Sequence, residues 1–115
     1  MQVKEINEKF VQLVRENPDL PIKVFISGEC YAGDGNWFAG DVYGCEVTEI
    51  VSFEMYEEPR YYTKDDIDDI VEYIEEDICD EDEYKNFSDE ELERVAKQKA
   101  EELEWEKVIL IWVGI

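Results

Sequence analysis

The chain contains no histidine, and only 11 lysines and arginines stand against 32 aspartates and glutamates. The first absence removes the commonest general base and the commonest metal ligand, and with them any cysteine–histidine or serine–histidine mechanism within the chain. The shortage of positive charge argues against direct binding to nucleic acid or to anionic lipid, because affinity for those polyanions comes from cationic neutralisation. Cysteine is scarce as well: Cys30, Cys45 and Cys79 are odd in number and form no CxxC pair, so they read as thiols in a reducing compartment. The longest unbroken apolar run, Val108 to Ile115, falls far short of the ~20 residues that cross a bilayer. The opening residues show neither the apolar stretch nor the small-residue cleavage site of a secretion signal. These absences predict a soluble cytoplasmic protein.

Catalytic and cofactor motifs are also missing. The glycines at 28, 33, 35, 40 and 44 match neither a P-loop nor GxGxxG, and neighbouring acids would repel a phosphate. Paired carboxylates alone can run glycoside hydrolysis, but that chemistry needs a deep cleft, which a chain of 115 residues with this layout hardly provides. The expectation is a protein that is not an enzyme, with no cofactor and no metal site, acting by binding a partner.

What is present is enough to fold. Apolar residues make up 44% and aromatics 13%, which sets the chain apart from the aromatic-poor sequences that stay disordered at a comparable charge. Its length fits one domain over residues 1–115. Val3, Ile6, Phe10, Leu13 and Val14 recur at helical spacing and predict a first helix that Asn17-Pro18 ends. Ile22-Lys23-Val24-Phe25-Ile26 alternates as a strand does, with Ile22, Val24 and Ile26 expected on its buried face. A glycine- and aromatic-rich loop over residues 28–41 leads into an extended region from Val42 to Tyr56, and Arg60-Tyr61-Tyr62 adds a short edge strand.

A second helix is expected to start at Thr63, capped by that side chain and buried along Ile67, Ile70, Val71, Ile74 and Ile78. Ser88 and Glu91 form a capping box that opens a third helix at Asp89, running to about Leu103, with Phe87 stapled on Leu92. Lys107 to Ile115 is apolar on both faces, as a central strand is. The predicted class is α+β: a mostly antiparallel sheet of three to four strands with three helices packed against it.

The dominant feature is the stretch from Asp65 to Arg94, where 16 acids meet two bases. The inward stripe of the second helix leaves Asp65, Asp68, Asp69, Glu72, Glu75, Glu76 and Asp77 toward solvent. Eight acids from Asp65 to Asp77 then space one charge per about 2.3 Å of helix axis, near the one per roughly 1.7 Å of duplex DNA. With Asp80, Glu83, Glu90 and Glu93, they form a candidate partner-binding surface, whose natural partner is a basic protein. A solvated face that only keeps the chain in solution reads from the same residues.

Two further groups bear on binding. Asp80 to Glu91 has the length of a calcium loop between helices, yet Tyr84 and Lys85 stand where the motif needs an oxygen ligand and a glycine. Tyr31, Trp37 and Phe38 in the glycine-rich loop form a secondary aromatic contact candidate, or else fold back on the sheet edge.

The opening helix ending in Asn17-Pro18-Asp19-Leu20-Pro21, the loop around Trp37 and the closing Leu103-Glu104-Trp105-Glu106-Lys107 resemble small acidic proteins of phages and prophages of Gram-positive bacteria. In size and charge the chain also looks like phage-encoded anti-restriction and anti-CRISPR inhibitors, several of which are DNA mimics. That resemblance implies an inhibitor that occupies the basic surface of a nucleic-acid-binding protein in the host cytoplasm, and it carries over no site residue. The alternative is an interaction or assembly module, homodimeric in one form, that docks through the aromatic loop and a sheet edge.

Overall fold

The computed structural model describes residues 2–27 and 40–114, so Cys30, Tyr31, Trp37 and Phe38 lie outside the described residues. The element order is α1 (Val3–Glu16), β1 (Ile22–Ile26), β2 (Asp41–Met55), β3 (Glu58–Thr63), α2 (Ile67–Ile78), α3 (Asp89–Glu101) and β4 (Glu106–Gly114). The fold is α+β, with one mixed, mostly antiparallel sheet in the order β1-β4-β2-β3. Backbone contacts divide the chain into two compact units, residues 1–48 with 107–115, and residues 49–106. The long strand β2 belongs to both.

In the first unit β1 pairs with β4 in parallel, from Ile22 opposite Ile109 to Ile26 opposite Val113. The ladder is extended at both ends, where Ile109 N–H donates to the Pro21 carbonyl and Ser27 N–H to that of Val113. Val108, Ile109 and Leu110 are buried, which explains why both faces of β4 are apolar. The expected buried face of β1 is corrected: Ile22, Val24 and Ile26 are 48%, 47% and 63% exposed. Alternation identified the strand but not its burial, because period two marks two faces without saying what packs on either. Phe25 is the half-buried residue, its ring edge-on to Trp112 at 5.3 Å. On α1 only Ile6 is fully buried, and its carbonyl accepts a weak bond from the buried Cys45 thiol.

The second unit holds a compact apolar core. Val51 of β2 meets Ile70, Val71, Ile74 and Ile78 of α2, Ala96 and Ala100 of α3, and Tyr84 from the connection between the helices. The α2 stripe is therefore as the spacing predicts. Ala96 and Ala100 are wholly buried one helical turn apart, and their small side chains let α3 approach closely. The connection is a run of tight turns in which Glu81, Tyr84 and Phe87 N–H groups each donate three residues back. Tyr84 anchors this run in the core, with the Phe87 ring edge-on to it at 5.3 Å. The fifth position of the supposed calcium loop is thus a core residue.

Helix ends follow local chemistry. Ser88 Oγ accepts from Glu91 N–H at 3.2 Å and starts α3 at Asp89. The end of α3 comes two residues before the expected Leu103. There the Trp105 indole folds back and donates to the Ala100 carbonyl at 2.8 Å, satisfying a terminal acceptor. Lys64 closes over this end, 4.3 Å from the Trp105 ring centre and 3.0 Å from Glu101. Thr63 precedes the helical segment as expected, but the first turn and the cap are corrected. A 3₁₀ turn spans Lys64–Asp66 and the α-helix begins at Ile67; buried Thr63 makes no side-chain cap to a backbone amide, and its hydroxyl lies 3.3 Å from an Asp66 carboxylate oxygen.

The β2–β3 connection carries local strain. Met55 pairs with Glu58, leaving a two-residue loop in which Tyr56 and Glu57 both have positive φ, 52° and 66°. Such a turn matches strand twist but favours asparagine and glycine, since a Cβ in the left-handed region costs about 1–2 kcal/mol. Glycine loses roughly 0.5–1 kcal/mol more backbone entropy on folding, so relief of strain wins. Glu57→Gly is expected to stabilise the protein by about 0.5–1 kcal/mol, read as a higher urea midpoint at unchanged slope. A lower midpoint would show that Glu57 holds the turn by some other contact.

Candidate functional site

The acids of α2 and α3 end up on facing helix surfaces. On α2, Asp68, Glu72 and Glu76 follow each other at four-residue spacing with Glu75 beside them; on α3, Asp89, Glu93 and Lys97 do the same. Residues four apart share a helix face, and burial of Ile70, Val71, Ile74 and Ile78 turns that face outward. Together the two stripes line an open cleft of about 820 Å³ floored by Val71 and Leu92. Seven carboxylates border it, Asp68, Glu72, Glu75, Glu76, Asp89, Glu90 and Glu93, against one cation, Lys97.

Lys97 is held by this field. Its ammonium lies 3.0 Å from Glu93. The hydrogen bond and charge of Glu93, with smaller contributions from Asp68 and Glu75, raise its pKa above the ordinary lysine value despite slight desolvation. A raised lysine pKa favours the folded state at all pH below the unfolded value and loses that contribution only as pH climbs through the folded one. At neutral pH Lys97 therefore carries its charge. One ammonium leaves six of the seven carboxylate charges uncompensated among the lining residues.

Helix dipoles make this distribution costly at one end. Asp68 and Asp69 in the first turn of α2 face its positive end, which is favourable. Glu75, Glu76 and Asp77 crowd the negative end, and no basic residue lies in that last turn. α3, in contrast, carries Lys99 in its last turn. Core packing demands none of the α2 C-terminal acids, since all three point away from the buried stripe and only Glu75 is even half-covered.

Of the ten candidate partner-binding acids, the cleft gathers six: Asp68, Glu72, Glu75, Glu76, Glu90 and Glu93. Asp69 lies around the helix toward β3, on a smaller pocket that Glu72 and Glu76 share. Asp65 stands in the 3₁₀ turn, and Asp80 and Glu83 in the turns between helices; all three are exposed and line neither cleft. Sequence reasoning did not single out Asp89 and Lys97. The four-residue spacing from Asp89 through Glu93 to Lys97 was the signal that could have found them.

Charge is divided unequally along the chain. Residues 49–106 carry 24 acids against six bases, a net of −18, and the remaining residues carry eight against five, a net of −3. Among the described residues no group of three or more cysteine, aspartate or glutamate side chains is arranged to hold a metal ion. No helix of the described residues is long and apolar enough to cross a membrane. Cys79 is an exposed thiol bordering the acidic cleft, and Cys45 a buried one. No protein-family model, curated protein or solved structure matches the chain.

Proposed function

We propose that the chain binds a basic protein through the α2–α3 acidic face, occupying a surface that would otherwise hold nucleic acid. The observation that carries this reading is the cleft in which seven carboxylates from two packed helices face one lysine. Carboxylates spread over folded helices present charge at fixed spacing, as a phosphate backbone does, whereas a flexible acidic tail does not. The sequence resemblance adds the setting, a phage-type inhibitor or modulator acting in a host cytoplasm without catalysis.

Competition tests it. Against a panel of basic nucleic-acid-binding proteins, the chain is expected to be displaced by duplex DNA and to displace it in turn. Affinity should fall by orders of magnitude between low and physiological salt, because binding releases the partner's counterions. Binding that persists in saturating DNA and is indifferent to salt would sink the reading.

A second reading is favoured by one specific observation: β1, at the edge of the described sheet, exposes Ile22, Val24 and Ile26 on one face. An exposed apolar edge strand is a template for strand addition. An interaction or assembly module would dock there, with the acids serving only solubility. Salt-indifferent association would be its signature in the same assay.

A further inference from the structure

A second concave site lies in the unit formed by residues 49–106, at the strained β2–β3 turn. The Tyr56 ring stands edge-on to Tyr73 of α2 with centres 5.2 Å apart, and Tyr56 N–H lies 3.4 Å from the Tyr73 hydroxyl as donor. Both tyrosines line a pocket of about 370 Å³ together with Met55 and Tyr62, the carboxylates Asp69, Glu72 and Glu76 of α2, and Arg60 of β3. Tyr56 is 68% exposed, so part of its ring outside the contact with Tyr73 is open to an incoming group.

Volume narrows the occupant. Pockets for small-molecule ligands run from about 300 to 1,000 Å³, so this one lies toward the small end and has room for one long side chain. Charge narrows it further. Three carboxylates against one guanidinium leave an excess of two negative charges among the lining groups, which selects a cation. The rings decide between cations. A guanidinium is planar and weakly hydrated, stacks on an aromatic face and pairs with a carboxylate through two parallel hydrogen bonds; an ammonium is a compact, strongly hydrated point charge.

From this combination we infer that the Tyr56–Tyr73 pocket receives an arginine side chain of the basic partner, in preference to lysine. The inference rests on the polyanion-imitating function proposed above and adds the chemistry of the group recognised. The long-range field of the acids brings the partner in, and this pocket reads one side chain on it.

Fluorescently labelled octa-arginine and octa-lysine peptides, titrated with the full chain at physiological salt, test it by anisotropy. The wild-type chain is expected to bind octa-arginine about fivefold tighter, the scale of one exposed cation–π contact. Tyr56→Leu keeps apolar bulk but removes the ring, and should bring octa-arginine down to the octa-lysine value while leaving octa-lysine unchanged. Tyr56→Phe should keep the preference, and an unaltered unfolding midpoint in both variants excludes a folding effect. Equal binding of the two peptides by the wild-type chain, or equal weakening of both by Tyr56→Leu, overturns the arginine pocket and leaves the acidic-face function standing. Failure of both peptides to bind overturns both.

Discussion

Reversal of Asp68, Asp69, Glu72, Glu75 and Glu76 to lysine is expected to weaken binding to a basic nucleic-acid-binding partner by at least about a thousandfold at low salt, and to remove most of its salt dependence. Five reversals of two units each take the net charge from −21 to −11. The chain stays acidic, so the change tests the place of the charge and not its total. A control with five reversals outside the face, among them Glu5, Glu8 and Glu16 of α1, makes the same change in net charge and is expected to weaken binding far less. All five residues are partly or fully exposed, so folding should survive: relief of like-charge repulsion around Glu75 and Glu76 offsets the loss of favourable acids at the α2 N-terminus, and the unfolding midpoint should change little. Equal effects of the two sets would mean that the acids act only through bulk charge.

The largest effect on stability is expected from Ile70→Ala. Ile70 is completely buried in the core that joins Val51 of β2 to α2 and α3. Truncation removes the transfer free energy of three carbons and leaves a cavity that close-packed neighbours fill only in part, a loss of about 2–5 kcal/mol. Against a total of roughly 5–15 kcal/mol for a domain, the urea midpoint should drop by about a third at mid-range, and by no less than roughly an eighth. The same core fixes the acidic array, because burial of Ile70 determines which side of α2 faces solvent. The variant should therefore show normal partner affinity wherever it remains folded. A loss below about 1 kcal/mol would show that α2 is not held by this core.

Particular elements show how far the sequence could be read. Local chemistry located α1, β1, β3, the Ser88 cap and the α2 stripe, because caps, periodicity and proline act within a few residues. It placed the helical start at Thr63, which does precede the 3₁₀ turn leading into α2, but expected a side-chain cap that buried Thr63 does not make. It also expected a buried face on β1, where no residue is buried and only Phe25 is half-covered, since alternation names two faces without saying whether either is covered. Of the acidic site, the residues were legible and the cleft was not: Asp89 and Lys97 join it only because α3 packs beside α2. Pairing of Tyr56 with Tyr73 spans 17 residues and had no local signal at all.

What the sequence alone determined is chemical: a charge of −21 concentrated between Asp65 and Arg94, no histidine, and apolar spacing that marks one face of each helix. Those are properties of residues and their near neighbours, and they survive in any fold the chain could adopt. The tertiary structure decided what they become. It set first and last strands side by side in parallel, and left three apolar side chains of β1 exposed. It brought two acidic stripes, separated in sequence, onto one cleft. The reason is that register and helix–helix packing depend on contacts between distant residues, which no local pattern encodes.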